Sequence, residues 1–401
     1  MGGAEMSEWK KVKLGELCDF INGGAWSDKE YASEGIPVLK VTNCKNSGFA
    51  LEDISYLPYS LQQKYSQNEL RLHDVIIATV GSHPNLVNSS AGRSIIVNSL
   101  VTGFYLNQNA VCIRTKDSNI LNQLYFGYYS KYYIFQNYIQ MRGKGAANQM
   151  RIAISSIKDY PMPLPPIESQ NYIATILSRY DSLIENYQKQ IKLLEEAAQR
   201  LYKEWFVDLR FPGHENTRIV DGVPEGWENM SITDVFDFKY GKILPTKDFV
   251  ADGTIPVYGA SKQIGRYTKA NCFEPKVLVG SRGNAGFVHR TIENETYVTN
   301  NSFIVNPLKK YDYLKLPFIY ESFRMLDFVA ICTGAAQPQL TLNSIASLKY
   351  LVPAKNLIIS YCDTTNSYFS KIAMAYKQIR LLTEARDRLL PKLMSGEINV
   401  E

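Results

Sequence analysis

The strongest constraint on this chain is an internal repeat. Residues 9–42 and 227–261 share, in the same order, a leading Trp, an Asp-Phe pair, a Gly and an Ile-Pro-Val run. A repeat distance of roughly 190 to 220 residues is far longer than a solenoid unit and is typical of a whole domain. Two further matches are Gly-Ala-Ala at residues 145–147 and 334–336, and Gln-Ile-(Lys/Arg)-Leu-Leu at 190–194 and 378–382. The sequence therefore predicts two similar modules, an arrangement that suits a ligand with two different half-sites.

Composition sets broad limits on what these modules do. Apolar residues make up 45% and charged residues 21% of the 401 residues, so each module can bury a core. The net charge of +5 permits an anionic partner without requiring one. The 27 tyrosines are typical of β-rich structure with half-buried rings, and they also suit polar recognition surfaces.

Cysteine spacing and hydropathy indicate a cytoplasmic protein. The 6 cysteines lie far apart without a Cys-x-x-Cys pair or neighbouring His, so we expect reduced thiols and no metal site. No apolar run reaches membrane length, and no signal peptide precedes the first module, so no membrane partner is expected. Residues 1–6 are interpreted as a tag or a disordered N-terminus.

Each module is expected to begin with short strands and to end with one long helix. In the first module, β-branched runs bounded by turn residues predict strands, and a Tyr- and Phe-rich stretch at 119–141 predicts a helix. The predicted strands are residues 36–41, 75–80, 95–97 and 110–114.

Residues 167–206 contain no Gly or Pro, and Ile173, Ile176, Tyr180 and Leu183 begin a heptad-like series that continues for several turns. Forty helical residues span about 60 Å, which is too long for the core of one small domain. Residues 357–393 repeat the spacing. We therefore expect the two helices to pair with each other.

The short linker between the modules fixes the direction of that pairing. Because the link from Phe206 to Trp227 is short and punctuated by Pro and Gly, the second module must start near the far end of the first helix. To pair with the first helix, the second helix must then run back. The fold class is thus α+β, with two similar mixed α/β domains, a pseudo-twofold, and an antiparallel coiled coil that holds the domains at opposite ends. The chain ends should also meet. The predicted boundaries are 7–163 and 227–353 for the domains, 164–211 and 354–395 for the helices, 212–226 for the linker and 396–401 for the tail.

Catalytic motifs are missing from the sequence. It contains no P-loop, no dinucleotide-binding Gly motif, no His-Glu-x-x-His and no Gly-x-Ser-x-Gly, and its 4 histidines are isolated from one another. We expect no catalytic residues, no metal and no cofactor in this chain.

Candidate recognition residues instead follow matching strands in the two modules. Glycines beside Arg and Asn let the backbone approach a ligand, while Arg suits guanine or phosphate and amides suit adenine. A polar hairpin turn is the alternative. The residues are Ser82, His83, Asn85 and Arg93 in the first module, and Ser281, Arg282, Asn284, His289 and Arg290 in the second.

A second candidate set surrounds the two Gly-Ala-Ala sequences. The first copy is basic and suits phosphate, whereas the second has lost its basic residues, and a purely structural turn fits both copies. The residues are Arg142, Lys144, Asn148, Gln149 and Arg151 in the first copy, Gln337 and Gln339 in the second, and Lys262 and Arg266 after the second Ile-Pro-Val run.

Several segments together carry a family resemblance. They are the Gly-rich turn at 279–286 (VGSRGNAG), the loop at 334–340 (GAAQPQL), the exit at 163–166 (PLPP) and the helix end at 389–398 (LLPKLMSGEI). With the duplicated architecture, the chain resembles the specificity subunit of type I restriction–modification systems over its whole length. The resemblance implies two target-recognition domains that read the halves of a bipartite, asymmetric DNA sequence, with the helices fixing the gap.

The resemblance also implies partners. A specificity subunit has no catalytic activity; it binds double-stranded DNA, docks two methyltransferase subunits that carry S-adenosylmethionine, and through them recruits restriction (translocase) subunits. No methyltransferase tetrapeptide or helicase motif is present in this sequence, which agrees with that role. The alternatives are a bipartite DNA-binding regulator without a modification partner, a duplicated carbohydrate-binding module, and a stand-alone methyltransferase or nuclease.

Overall fold

The computed structural model describes residues 9–45, 48–51, 53–81, 91–145, 150–334 and 337–398. The chain divides into two units. The first consists of Met1–Leu183 together with Leu382–Glu401, and the second is the continuous segment Ile184–Leu381.

The first unit is built from short strands and four short helices, with portions of two long helices. Its strands are β1 (Lys10–Lys13), β2 (Cys18–Asn22), β3 (Ile36–Leu39), β4 (Cys44–Lys45), β5 (Gly48–Phe49), β6 (Ser55–Leu57), β7 (Val75–Ala78), β8 (Val80–Gly81), β9 (Ser94–Ile96), β10 (Tyr105–Leu106), β11 (Ala110–Thr115), β12 (Met150–Arg151) and β13 (Pro161–Leu164). Its helices are α1 (Leu14–Leu17), α2 (Gln123–Tyr129), α3 (Tyr133–Gln140), α4 (Ile154–Lys158) and the first half of α5 (Ile167–Tyr202).

A four-stranded antiparallel sheet, in the order β2-β11-β7-β9, forms the centre of this unit. A three-stranded sheet has the order β10-β3-β6, with β10 and β3 parallel, and β1 pairs with β13. Strand β7 is buried on both faces because Val75 and Ile77 join the core that includes α2 and α3, while Ile76 packs in a second core with Leu39 and Val97. An unbroken β-branched run is the sequence pattern of such a doubly covered strand.

The helix predicted over residues 119–141 is broken in the middle, and this part of the prediction was wrong. Helix α2 ends before Ser130, whose hydroxyl donates a hydrogen bond to the Gly127 carbonyl at 2.7 Å, and α3 begins at Tyr133. A serine hydroxyl that bonds the preceding turn of backbone competes with helix continuation. The resulting bend lets Phe126 and Phe135 meet edge to face, 6.2 Å apart.

The second unit repeats the topology of the first. Its strands are β14 (Ile219–Val220), β15 (Val223–Pro224), β16 (Glu228–Ser231), β17 (Phe236–Tyr240), β18 (Ile255–Tyr258), β19 (Gln263–Tyr267), β20 (Val277–Gly280), β21 (Val288–Arg290), β22 (Tyr297–Val298), β23 (Ser302–Pro307) and β24 (Lys349–Val352). Its helices are α6 (Leu316–Arg324), α7 (Leu342–Ala346), the second half of α5 and most of α8 (Lys355–Met394).

The sheet orders confirm the sequence repeat. The four-stranded sheet is β17-β23-β20-β21, the three-stranded sheet is β19-β18-β22 with β18 and β22 parallel, and β16 pairs with β24. Each strand of these three sheets therefore has its counterpart in the first unit. Strands β14 and β15 form an additional hairpin, whose Asp221 and Gly222 both have positive φ, 51° and 79°, as a two-residue Asp-Gly turn requires.

Helices α5 and α8 run antiparallel where they meet, as predicted. In the second unit, Ile191 packs with Ile372 and Ala375, and the Tyr361 hydroxyl donates to the Ala198 carbonyl at 3.0 Å. Higher residue numbers on α5 therefore face lower residue numbers on α8, which is the antiparallel arrangement. In the first unit, the far end of α8 joins the core beside the start of α5. The residues of that core that the two helices supply are Ile173, Ala174, Leu177, Leu390, Leu393 and Met394.

The repeated Trp packs at the end of a long helix in each unit. Helix α5 passes into a π-helical turn at Lys203–Val207, and Trp227 packs against Phe206 and Phe211 with ring centroids 6.0 and 5.6 Å apart. In the first unit, Trp9 lies against Gly396, just beyond α8, where a Cβ on this glycine would be 3.2 Å from the ring. The beginning and the end of the described chain thus meet in the first unit, as predicted.

Candidate nucleic-acid interface

Two loops that are far apart in sequence form one edge of the second unit. The strand β20 ends at Gly280, and the Ser281 backbone N–H donates to the Asn301 carbonyl at 2.7 Å. The Leu340 N–H donates to the Ser281 carbonyl at 3.0 Å, and Arg282 forms a β-bridge with Gln339. The Gly-rich turn and the segment 339–340 are therefore neighbours.

The turn between β18 and β19 joins the same edge. Asn284 donates through Nδ2 to the Ser261 Oγ at 2.6 Å, which places Lys262 beside the Gly-rich turn. Arg266, in β19, is half-buried and donates to the Gly253 carbonyl at 3.3 Å, so it anchors the strand at its other end. Four of the predicted side chains on this edge are exposed, and Gln339 is half-buried. The exposed side chains are Lys262, Arg282, Asn284 and Gln337.

Three other predicted residues of the second unit have buried side chains. The Ser281 hydroxyl donates to the Asn300 carbonyl at 3.1 Å. His289 lies between the Tyr258 and Phe287 rings, with Nε2 3.4 Å from the Ser302 hydroxyl, and burial lowers its pKa to about 4. His289 is therefore neutral at neutral pH, and its buried ring packs within the protein beside Tyr258, Phe287 and Ser302.

The Arg290 side chain is also enclosed, and it faces the long helices. Its guanidinium donates to the Glu195 carboxylate at 3.0 Å and lies 4.5 Å from the Phe369 ring centroid and 5.1 Å from that of Tyr320. These contacts join β21 to α5, α6 and α8. The Arg290 guanidinium is therefore occupied by contacts within the protein.

The matching edge of the first unit is basic. The strand β8 pairs with β12, and Lys144 and Arg151 exchange backbone hydrogen bonds of 2.9 and 2.8 Å. Arg142 stacks on the Tyr138 ring at 3.4 Å and donates to the Tyr138 carbonyl at 3.0 Å. The side chains of Arg142, Lys144 and Arg151 are exposed. The pairing of β8 with β12 corresponds to the bridge between Arg282 and Gln339 in the second unit.

Of the remaining predicted residues of the first unit, only Arg93 lies within the described part of the chain. Arg93 is half-buried and donates to the Cys44 carbonyl at 2.6 Å. Ser82, His83, Asn85, Asn148 and Gln149 lie outside the described residues.

Sequence reasoning missed two residues on the edge of the second unit. Lys242 follows β17; its N–H donates to the Val298 carbonyl at 3.0 Å, and its carbonyl accepts from the Asn300 N–H at 3.2 Å. Asn301 is exposed and carries the carbonyl that receives the Ser281 N–H. The Gly241 before Lys242 was the available signal, because a Cβ there would lie 2.3 Å from the Thr299 carbonyl oxygen, and such close approach needs glycine.

No group of three or more His, Cys, Asp or Glu residues that could hold a metal ion occurs among the described residues. All six cysteines lie in the described ranges, and none of them forms a disulfide. Within that same part of the chain, no helix has the length and apolar character needed to cross a membrane.

Comparison with known proteins identifies the family. The family model of the type I restriction modification DNA specificity domain matches this chain twice, at residues 6–196 and 224–358. The chain belongs to the type I restriction–modification DNA specificity family. Its two matches fall on the two copies of the repeat, so the duplicated topology is that of two specificity domains, and the chain is a type I restriction–modification specificity subunit.

Curated relatives agree with this assignment, and a solved structure shares the fold. The MjaIX specificity subunit of Methanocaldococcus jannaschii is 27% identical over 322 residues, which cover 74% of this chain and 73% of the relative. The HindI specificity subunit of Haemophilus influenzae is 19% identical, with 98% of this chain and 100% of the relative covered. The crystal structure of the type I S subunit from M. genitalium shares the fold, with a TM-score of 0.59, 19% identity and 98% of each chain covered.

Proposed function

We propose that this specificity subunit is non-catalytic and reads a bipartite, asymmetric DNA target, one half with each unit. The observation that supports this proposal is the polar edge at the same topological position in both units. The edge carries Lys144 and Arg151 in the first unit, and Arg282 and Gln337 in the second. Because the same position carries different side chains, the two half-sites differ in sequence.

The chemistry of the exposed side chains suits DNA. Arg282 offers the paired donors that match the guanine edge in the major groove, and the amides of Asn284 and Gln337 match adenine. Arg142, Lys144 and Arg151 supply positive charge for phosphates, which positions the protein without reading sequence. The DNA contacts are therefore assigned to these exposed residues together with Lys262 and Gln339. The candidates outside the described residues, Ser82, His83, Asn85, Asn148 and Gln149, remain part of the proposal for the first unit.

Ser281, Arg93, Arg266, His289 and Arg290 are assigned a supporting role in this proposal. Each of these side chains is buried or half-buried and also bonds the protein. They hold the loops in position, and the exposed neighbours make the contacts.

The long helices are proposed to set the gap between the half-sites and to dock the partners. Two similar units offer similar surfaces to two copies of one partner, here a methyltransferase subunit that carries S-adenosylmethionine and recruits restriction subunits. Exposed apolar side chains on the helices, such as Tyr172, Leu193 and Met374, suit such docking. The complex acts in the cytoplasm, where the host DNA lies.

The test is to map adenine methylation of host DNA by long-read sequencing, with this chain present or deleted beside an active methyltransferase subunit. We expect a split, asymmetric methylated motif that disappears on deletion and returns when the gene is restored. Unchanged methylation would contradict the proposal. Binding to a split DNA sequence without any effect on methylation would instead support a DNA-binding regulator.

A further inference from the structure

The most exposed large apolar side chain described in each unit adjoins the edge proposed to meet DNA. Met141 is 83% exposed in the first unit, and Ile243 is 76% exposed in the second. Single exposed apolar side chains are common on protein surfaces, so exposure alone decides nothing. What distinguishes these two is that each combines the greatest exposure in its unit with a place next to an edge residue, Met141 before Arg142 and Ile243 after Lys242.

Met141 ends helix α3 and leads into the basic loop of the first unit. Its backbone N–H donates to the Asn137 carbonyl at 3.0 Å, so the helix fixes the position from which its side chain projects. Arg142 follows, held against Tyr138, and Lys144 lies two residues further on, in the bridge with Arg151. The residues from 141 to 145 include two cations and no carboxylate.

Ile243 is held equally firmly. The Tyr297 hydroxyl donates to the Ile243 carbonyl at 3.2 Å, and Lys242 is bonded to Val298 and Asn300. Asn301, which follows Asn300, carries the carbonyl that receives the Ser281 N–H at 2.7 Å. A continuous path of backbone bonds therefore connects Ile243 to the Gly-rich turn that presents Arg282.

We propose that Met141 and Ile243 are wedges that enter between neighbouring base pairs, one in each half-site, and unstack that step. The proposal rests on the proposed DNA-reading function. Methionine and isoleucine are among the side chains that proteins insert between base steps. Arg142 and Lys144 beside Met141, and Lys242 beside Ile243, supply positive charge for the adjoining phosphates. The backbone hydrogen bonds described above fix the position of each wedge residue.

A wedge would also assist the reaction of the assembled complex. Enzymes that methylate a base must take it out of the stack, and that step is easier where stacking is already disrupted. The wedge side chains act on the DNA beside the reacting base and touch no reacting atom. They are therefore positioning residues.

The experiment uses the full chain assembled with its methyltransferase partner, and target duplexes that carry the fluorescent adenine analogue 2-aminopurine at successive positions other than the methylated adenine. Its fluorescence rises when the base is unstacked. We expect one bright step in each half-site, with Met141→Ala abolishing the signal in one half-site only and Ile243→Ala in the other. Tyr59→Ala and Phe273→Ala are controls matched in exposure, because these side chains are 70% and 71% exposed and neither residue is one of the edge residues named above.

A second measurement tests the free-energy cost of unstacking the base step. A mismatch at the bright step lowers the cost of unstacking it, so it should tighten binding of the unchanged protein about tenfold, with little gain for the alanine variant of that unit. The wedge assignment is overturned if duplexes bind and are methylated with no bright step, or if the signal survives both substitutions. If no duplex from the mapped motif binds at all, the proposed DNA-reading function fails first.

Discussion

The Arg290 guanidinium donates a hydrogen bond to the Glu195 carboxylate at 3.0 Å, and so ties an edge strand of the second unit to its long helix. The Phe369 ring lies against the guanidinium. A Tyr–Asp–Arg contact has the same role in the first unit, where Asp181 on α5 accepts a hydrogen bond from Tyr128 at 2.7 Å and pairs with Arg386 on α8. Each unit is thus fastened to both helices by charged and aromatic side chains.

Replacing Arg290 should therefore affect stability. Arg290→Met leaves Glu195 without its partner; because Glu195 is partly exposed, we expect a loss of about 2–4 kcal/mol, at or below the range for fully buried pairs. Chemical unfolding followed by circular dichroism measures it. The double variant Arg290→Met/Glu195→Gln should recover part of the loss. An unchanged unfolding midpoint in the single variant would contradict a stabilising role for the Arg290–Glu195 ion pair.

Arg282→Ala should weaken DNA binding while leaving stability almost unchanged. This side chain is exposed, so stability should change by less than about 0.5 kcal/mol. Binding to the mapped target should weaken by about 1–3 kcal/mol, with relaxed preference at one base pair of one half-site. Competition binding against targets substituted at each position measures both quantities. Retention of the full sequence preference would remove Arg282 from the set of reading residues.

His289 should make stability fall in mild acid. Burial lowers its pKa from 6.5 to about 4, so between these values the unfolded chain binds a proton that the folded protein does not. The stability contribution is complete above about pH 7 and is lost as pH falls towards 4, by about 3 kcal/mol in total. His289→Gln should flatten this dependence in unfolding experiments from pH 4.5 to 7.5. An equal slope in the variant would show that His289 is not the titrating group.

Glu321 should act in the opposite direction over an overlapping range. Burial raises its pKa to about 7 despite the neighbouring Arg324, so the folded protein holds a proton that the unfolded chain has released. Stability therefore decreases as pH rises from about 4.5 to 7, by up to about 3 kcal/mol. Glu321→Gln should raise the unfolding midpoint at pH 8 relative to the unchanged protein while altering it little at pH 4.5. No gain at pH 8 would contradict the raised pKa of Glu321.

If the helices set the half-site gap, lengthening both should lengthen the gap. Insertion of the same number of whole helical turns into α5 after Lys189 and into α8 after Met374 keeps the pairing around Ile191 and Ile372 in phase. Each added turn extends a helix by about 5.4 Å, so methylation mapping should return the same half-sites with a longer unspecified spacer. Insertion into α5 alone is the control, and it should abolish methylation because the pairing is disrupted. A constant spacer in the double insertion would contradict this role.

The sequence predicted the elements well where the pattern is local. The Gly- and Pro-free stretch became α5, the repeat of its spacing became α8, and the β-branched run at residues 75–78 became a buried strand. The break between α2 and α3 occurs within a stretch of otherwise helical composition, where the Ser130 hydroxyl bonds the Gly127 carbonyl and Tyr132 is extended. No periodicity in the sequence reveals it.

The recognition edge was harder to predict because its parts are brought together by the sheet. The bridge between Arg282 and Gln339 joins segments that no local pattern relates. Burial of the neighbouring residues His289 and Arg290 has a similar origin. They lie on opposite faces of β21, and both faces are covered, one by Tyr258 and the other by Phe369. Polar residues after a Gly-rich turn look alike in sequence whether the strand is covered or open.

The meeting of Trp9 with Gly396 has a consequence for synthesis on the ribosome. The core of the first unit includes Leu390, Leu393 and Met394, and these emerge only after the whole second unit has been translated. The second unit is continuous, so it can complete its core while the first still lacks a helix. At about 5–20 residues per second, the roughly 200 residues between the two segments take on the order of 10–40 s to translate. During that interval the apolar face around Ile173 and Leu177 remains exposed to solvent. The module that is translated first is therefore the last to finish folding.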